Sequence, residues 1–431
     1  LHKEYRRQRQ MCIRDRFITG KGGTGKTYFL KRVIPALKNA VVVAPTGIAA
    51  VNAGGQTIHS FFRIGMQPYI PEIRNGKFMD NCENKFRGES ENILQNIKYL
   101  IIDEISMVRP DLLDNVADIL RRARGDKDPF GGVKLIMVGD LFQLPPVIKE
   151  DFFREIYDTS YFFSSKSLMA SGMEMVSFEK IYRQKDEKFI SILNKVRDGQ
   201  MDDDVFSTLN SRCIQPENSA GYVEIVTTNA KATAINEMRI NSVPGSLRKF
   251  EAIIKGDYPK EAPVEKTLLI KEGSRVMITR NGGEYVNGSL GVVSSIKNGE
   301  IEVVLDRPKD EEHTKVIITP CSFDKVKYVR NGYKVESEVI GSITQYPIKI
   351  GYSITIHKCQ GLTLDAAMMD VSNSFETGQL YTALSRVKSL EGMYLRQPIP
   401  KTIKTSDPVV NDFYKNCLLY TSDAADDTPC V

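Results

Sequence analysis

The chain has 431 residues, 41% of them hydrophobic and 26% charged, and a formal net charge of +5. That length exceeds one ordinary core, so two to four domains are expected, with the composition of a soluble globular protein. No run of about 18 apolar residues occurs, the basic start lacks an apolar stretch, and the seven cysteines form no CxxC pair, which sets aside a membrane span, a secretory leader and a structural zinc site and points to reduced thiols in a cytoplasm-like compartment.

At the amino end, residues 6–15 read RRQRQMCIRD, the translation of a transposase sequencing adapter; the opposite strand of that adapter encodes CLLYTSDAAD, which stands at 417–426. Residues 1–16 and 417–431 are therefore expected to be non-native and to lie outside the fold. The first segment removes four net positive charges and the last three negative ones, leaving +4 for 17–416. The basic arm thus carries no argument for a polyanionic partner.

The first element is a short apolar run leading into GKGGTGKT, which fits GxxxxGK[ST] from Gly20 to Thr27 and precedes a stretch of helical spacing. Glycines let backbone N–H groups turn towards phosphate oxygens at a helix N-terminus, where the dipole favours anions. Lys26 is expected to reach the β- and γ-phosphates and Thr27 to hold Mg²⁺, with Gly20, Gly22, Gly23, Thr24 and Gly25 forming the cradle. A second strand, AVVVA, leads into Pro45, Thr46 and Gly47, and a third, YLII, into Asp103 and Glu104. A carboxylate pair at the C-terminal edge of a strand suits an open α/β sheet, with Asp103 towards Mg²⁺ and Glu104 orienting water. A fourth strand, KLIMV, ends in Gly139-Asp140 and Gln143, an amide able to sense a γ-phosphate. Between the third and fourth strands, Leu113, Val116 and Leu120 share one face of a packing helix.

Further along, Arg183 precedes a helix with Phe189, Ile192, Leu193 and Val196 on one face, and Arg386 ends a short helical run. An arginine aimed at a transferred phosphoryl group is worth about 10³–10⁵ in rate. From about 263 to 345, short runs such as RVMIT and EIEVVL alternate with turn residues, and YVNGSLGVV is expected to contain a tight Asn-Gly hairpin. This reads as a small β-barrel inserted in the second half, either structural or helping to hold a ligand.

Taken in order, GKGGTGKT, APTGIAA, GGQTIHSFF, IDEISMV, GDLFQLPP, YRQ, ITIHKCQGLTLD and YTALSR resemble the motifs of superfamily-1 DNA helicases, most closely the PIF (petite integration frequency) family of the RecD-like branch. The resemblance implies two RecA-like P-loop lobes: 17–176 with a small insertion at 63–92, and 177–262 plus 346–416 with an SH3-like barrel at 263–345. It implies an ATP- and Mg²⁺-dependent helicase moving 5′-to-3′ on single-stranded DNA, in replication, repair, recombination or telomere maintenance. Arg183 and Arg386 become the fingers, and Gln360 and Gly361 face ATP. Pro45, Thr46, Gly47, Thr57, His59, Ser60, Phe61, Thr227, Thr228, Asn229, Thr355, His357 and Lys358 line the DNA path. Phe61 is a stacking residue or a core residue beside Phe62. The family usually has Ser where Cys359 stands, and sulfur donates more weakly.

Partners expected on this basis are single-stranded and forked DNA, the protein being monomeric, cytoplasmic and bacterial or phage-encoded. The alternatives are a RecD-like subunit of a repair or conjugation complex, a phosphotransferase with its own acceptor, and a truncated DNA-binding fragment without turnover.

Overall fold

The computed structural model describes residues 15–65, 68–69, 72–74, 77–79, 89–148, 153–215, 222–257, 264–280, 282, 284–285, 287–306, 314–331, 334–374 and 376–424. The chain divides into two compact units. One gathers the residues up to Lys180 with Val326–Val339 and the segment from Pro408, and the other holds Ile181–Lys325 and Ile340–Asp407.

In the first unit the strands are β1 (Asp15–Gly20), β2 (Ala40–Ala44), β3 (Gln56–Thr57), β4 (Tyr99–Ile102), β5 (Lys134–Val138) and β6 (Met173–Phe178). Their order across the sheet is β3-β2-β4-β5-β1-β6, and every neighbouring pair is parallel. Near-continuous apolar runs such as AVVVA and YLII suit strands covered on both faces; Val41, Val42, Val43, Leu100, Ile101 and Ile102 are all buried. Parallel pairing requires crossovers, so the carboxyl ends of β1, β2, β4 and β5 share one edge, and all four phosphate-related motifs emerge there. Helix α1 (Lys26–Val33) follows β1, α2 (Gly47–Ala53) follows β2, and α3 (Ile58–Phe61) follows β3. Helix α4 (Pro110–Arg124) buries Leu113, Val116 and Leu120 as its spacing predicts. It also buries Asp111, Asp114 and Asp118. Tyr157, Ser165 and two backbone N–H groups donate to Asp114, so this carboxylate is an internal hub that apolar spacing did not reveal.

The fold does not stop at the limits expected for the adapter-like ends. Asp15 and Arg16 form the first two positions of β1. Asp15 is buried and accepts from the backbone N–H of Leu135 at 2.9 Å and from Ser171 Oγ at 2.6 Å. Burial nonetheless holds its carboxyl above the ordinary range. Strand pairing uses backbone groups, so it extends into any residue that can satisfy its own side chain. At the other end, the final helix α9 (Pro408–Ala424) runs on past residue 416. Helix α9 also corrects the expected boundary, because 408–416 belong with the first unit rather than the second. Its Phe413 stacks on Phe163 with ring centroids 4.1 Å apart and packs against Phe17 and Phe162. Of the small insertion at 63–92, only the Glu72–Arg74/Lys77–Met79 hairpin and a few flanking residues are described.

The second unit has its own parallel sheet of β7 (Val223–Val226), β8 (Ser353–Thr355), β9 (Ala367–Met369) and β10 (Met393–Leu395), ordered β8-β7-β9-β10. Helices α5 (Glu187–Arg197), α6 (Asn229–Ser242), α7 (Ile356–Cys359) and α8 (Gln379–Leu384) accompany it. In α5, Phe189, Ile192, Leu193 and Val196 are the buried face.

The insert is an antiparallel five-stranded sheet ordered 315–318, 300–305, 290–297, 275–278 and 348–350. Alternate residues of the 300–305 strand, Ile301, Val303 and Leu305, enter one core with Val276, Ile278, Val316, Ile318 and Ile348. The insert departs from the expected 263–345 limits in three ways. Ile348–Ile350 completes its sheet, the strands Arg248–Glu251 and Ile253–Gly256 pair with its members, and Val326–Val339 groups with the first unit. That segment belongs to two strands of 11 and 12 residues, Cys321–Asn331 and Lys334–Gln345. The tight Asn-Gly turn also lies elsewhere. Asn298 and Gly299, with φ of 52° and 78°, join strands paired at Lys297 and Glu300, the geometry that favours this dipeptide. Asn287-Gly288 instead sits within the longer connection 279–289.

Candidate nucleotide and nucleic-acid site

The phosphate loop grows directly out of β1. Gly25 caps α1 with φ of 86°, a left-handed conformation that glycine adopts at no steric cost. A Cβ on Gly20 would stand 2.7 Å from the carbonyl oxygen of Phe178, so only glycine fits that turn. Thr24 is buried, with its hydroxyl donating to the carbonyl of Lys21, and Thr27 is exposed in the first turn of α1. Lys26 folds back so that Nζ donates to the carbonyls of Gly20 at 2.6 Å and Lys21 at 3.1 Å.

At the end of β4, Asp103 is buried and Glu104 turns away in a left-handed conformation with φ of 52°. Asp103 Oδ1 accepts from the Glu104 N–H at 3.0 Å. Burial, then the neighbouring Glu104 charge, push the Asp103 carboxyl up to about 7, while Lys26 and Lys31 pull it down. At the end of β5, Asp140 is fully buried, and its carboxylate accepts from the N–H of Phe142 and the amide of Gln143. Gln143 is therefore held by its own loop at the same sheet edge as the phosphate loop.

Four of the threonines expected on the DNA path share one local role. Thr46 caps α2, Thr57 caps α3, Thr228 caps α6 and Thr355 caps α7, each hydroxyl accepting from a backbone N–H three residues on. Each ends or follows a strand, so each opens a helix N-terminus at the carboxyl edge of its sheet, where anions are favoured. Two lie in each unit. Thr355 itself is only 3% exposed, so its hydroxyl serves the helix start rather than an outer surface. Gly47 is buried, and Pro45 and Thr227 are partly covered. Asn229, Ser60, Lys358 and Gly361 are exposed, while His357 and Gln360 are partly covered. Phe61 is half-buried in a T-shaped contact with Phe62, which is fully buried; the core role belongs to Phe62. His59 lies beside Arg109 and Asp111, and burial followed by the Arg109 charge hold its imidazole below the usual range.

In the second unit, Arg386 is buried and donates through Nε to the carbonyl of Thr382 at 2.8 Å and through a terminal nitrogen to Ser385 Oγ at 2.7 Å. Arg183 donates to the carbonyl of Ser385 at 3.0 Å. Gln184 donates to the carbonyls of Ser385 and Val387, bracketing Arg386. The two arginines, far apart in sequence, are thus brought together, and Ser385 and Gln184 are the supporting residues that motif matching left unassigned. Cys359 is buried; its thiol donates to the carbonyl of Ile356, and burial pushes it up to about 11 despite the nearby Arg386 and Arg183 charges. A thiol so held is no nucleophile. Among the described residues no group of three or more His, Cys, Asp or Glu gathers, and no helix is long and apolar enough to cross a membrane.

A phosphate loop at the carboxyl edge of one parallel sheet, and paired arginines in a unit built on another, define an α/β P-loop protein of the RecA-like class. Residues 10–206 match the family described as PIF1-like helicase. The Xenopus laevis ATP-dependent DNA helicase PIF1 is 33% identical over 93% of this chain, which spans 61% of that relative's length. A Bacteroides Pif1 structure in complex with ADP-AlF4 superposes with a TM-score of 0.86 and 36% identity, covering 95% of this chain and 94% of that one. A Bacteroides Pif1 structure bound to single-stranded DNA is 37% identical with a TM-score of 0.67, covering 97% and 96%. The chain belongs to the PIF1-like helicase family.

Proposed function

We propose that the chain is an ATP-dependent DNA helicase that translocates 5′-to-3′ on single-stranded DNA and separates duplexes. The observation that carries the reading is the grouping of Lys26, Asp103, Glu104 and Gln143 at one sheet edge that also presents the helix starts capped by Thr46 and Thr57. Nucleotide chemistry and a sequence-blind phosphate grip then arise side by side. The relatives bound to ADP-AlF4 and to single-stranded DNA support both halves.

The residues present fit ATP with Mg²⁺. The donor set is oxygen-only, Thr27 hydroxyl and Asp103 carboxylate, as a hard cation requires. The raised Asp103 carboxyl is a buried acid whose ionised form a divalent cation would favour. When bound, Mg²⁺ neutralises charge on the phosphate oxygens. Lys26 exchanges its two backbone carbonyls for phosphate oxygens. Glu104 orients water, and the Asp140-anchored Gln143 sits by the terminal phosphate. Arg183 and Arg386 supply charge to the transferred group, with Gln360 and Gly361 on the nucleotide side. In the second unit Thr227, Thr228, Asn229, His357 and Lys358 hold phosphates, in the first Pro45, Thr46, Gly47, Thr57, His59 and Ser60 do so, and Phe61 stacks on a base. The antiparallel insert acts as an SH3-like subdomain that helps hold DNA. A monomer working in a bacterial or phage-infected cytoplasm fits this reading.

Poly-thymidine is expected to stimulate ATP hydrolysis strongly, with DNA affinity falling on a log–log slope of about −0.7 per phosphate neutralised. An unchanged hydrolysis rate would overturn the motor. Unwinding of a 5′-tailed but not a 3′-tailed duplex tests the polarity.

A further inference from the structure

Helix α9 brings one side chain against the end of β1, where the phosphate loop begins, and against the loop that follows β5. Tyr414 exchanges a hydroxyl–hydroxyl hydrogen bond with Thr19, the residue that precedes Gly20 and so sets the entry to the phosphate loop. The same ring stacks on Phe142, with centroids 5.1 Å apart and planes inclined by 21°. Phe142 directly precedes Gln143, and its N–H donates to Asp140. Thr19 is fully buried and Phe142 nearly so, which leaves little slack at either contact. Phe413, one residue earlier, contributes packing of another kind: it fills the aromatic cluster of Phe17, Phe162 and Phe163 and anchors the helix.

We infer that Tyr414 is a positioning residue for nucleotide hydrolysis, acting through Thr19 on the phosphate loop and through Phe142 on the Gln143 loop. The inference rests on the ATP-hydrolysis reading above. Both loops leave the same sheet edge, but their backbones are separate strands, β1 and β5. The ladder between those neighbouring strands holds the roots of the loops, and one rigid aromatic touching the end of β1 and Phe142 braces the segments beyond it; misplacement of a catalytic group by about 1 Å can cost roughly 10²-fold in rate. The hydroxyl sets the height of the ring against β1, and the stack sets the distance to the sensing loop. Losing either lets one loop drift while nucleotide still binds.

The test uses the full chain with the variants Tyr414→Phe, Tyr414→Ala, Thr19→Val and Phe413→Leu. ATP turnover with poly-thymidine is read as kcat and KM, and unfolding is followed by melting temperature. Tyr414→Phe is expected to lower kcat roughly three- to tenfold with KM for ATP nearly unchanged, the size of one lost hydrogen bond. Thr19→Val should match it, and the double variant should fall no further than the worse single one, because both remove the same bond. Tyr414→Ala, which also loses the stack, should lower kcat further, by roughly 10- to 100-fold. Phe413→Leu should lower the melting temperature while leaving kcat per folded molecule intact. Full kcat in Tyr414→Phe, or equal loss in Phe413→Leu, would overturn the inference while leaving the motor reading standing. No hydrolysis by the unsubstituted chain would overturn both.

Discussion

Arg183 and Arg386 meet at one residue: Arg183 donates to the carbonyl of Ser385, and Arg386 donates to its hydroxyl. The two contacts separate by chemistry, because a side-chain deletion removes only the second. Arg183→Ala and Arg386→Ala are each expected to lower kcat by roughly 10³-fold or more, the scale of an arginine finger. Ser385→Ala should lower it roughly three- to tenfold by loosening Arg386 alone. Single-turnover hydrolysis beside a melting curve checks this; wild-type turnover in Ser385→Ala would mean that the Thr382 carbonyl suffices to aim Arg386.

Asp103 keeps a carboxyl in a buried place that disfavours its charge. Its folded carboxyl titrates near 7, against an ordinary 3.8, so the native state holds its proton longer than the unfolded chain does. The group's contribution to stability is fully present below pH 3.8 and is lost as pH rises through about 7. Asp103→Asn should therefore gain stability over the wild type across that window in chelator, by at most about 4 kcal/mol. It should also abolish hydrolysis. Urea unfolding at pH 4 and pH 8 reads the difference; equal midpoints for the two proteins at pH 8 would count against a buried, raised carboxyl.

Four strands of the first parallel sheet and the phosphate loop were legible because apolar runs and motif spacing are local properties of the chain, while the second sheet was implied only by the family resemblance. AVVVA, YLII and KLIMV are strands wherever both their faces are covered, and the Gly20–Thr27 loop dictates its own turn. The site's supports were not legible. Ser385 and Gln184 act through contacts about 200 residues apart in the chain, and Tyr414 through one spanning nearly 400. No spacing rule connects Thr19 to Tyr414. The same blindness set 408–416 with the second unit, since no local pattern ties Phe413 to the distant Phe17 and Phe163. Asn287-Gly288 misled for a different reason: the dipeptide favours a tight turn, but register chose Asn298-Gly299.

The capping threonines offer a way to tell a phosphate grip from a structural role. Thr228 is exposed, and its hydroxyl accepts from the Lys231 N–H at 3.4 Å. Thr228→Ala should cost about 0.5–2 kcal/mol through the lost cap. Thr228→Asn should keep the cap and the stability. If the hydroxyl itself touches phosphate, both variants should weaken binding to poly-thymidine. If the helix start does the holding, only Thr228→Ala should. Fluorescence anisotropy across a salt series separates the cases, and no effect from either variant would remove Thr228 from the DNA path.

Cys359 stands where the family usually has serine, and the structure gives the exchange little to disturb. The thiol donates to the Ile356 carbonyl at 3.1 Å inside a fully covered site, a bond that a hydroxyl could make as well. Cys359→Ser is therefore expected to leave ATP turnover within roughly twofold of the wild type, since a stronger donor of similar size can keep the same bond. The thiol's titration provides an independent check. Burial holds it near 11 against an ordinary 9.0, so above pH 9 the unfolded chain ionises first. Stability from this group is complete below pH 9 and is lost as pH rises through 11, by at most about 3 kcal/mol, and Cys359→Ser should lack that loss. At pH 8, iodoacetamide should label the half-exposed Cys213 and Cys321 before Cys359, which should react only after denaturation. Mass spectrometry of the labelled peptides reads the order; early labelling of Cys359 would mean that the α7 segment opens in solution and that the motif beside Gln360 is less firmly seated than its burial implies.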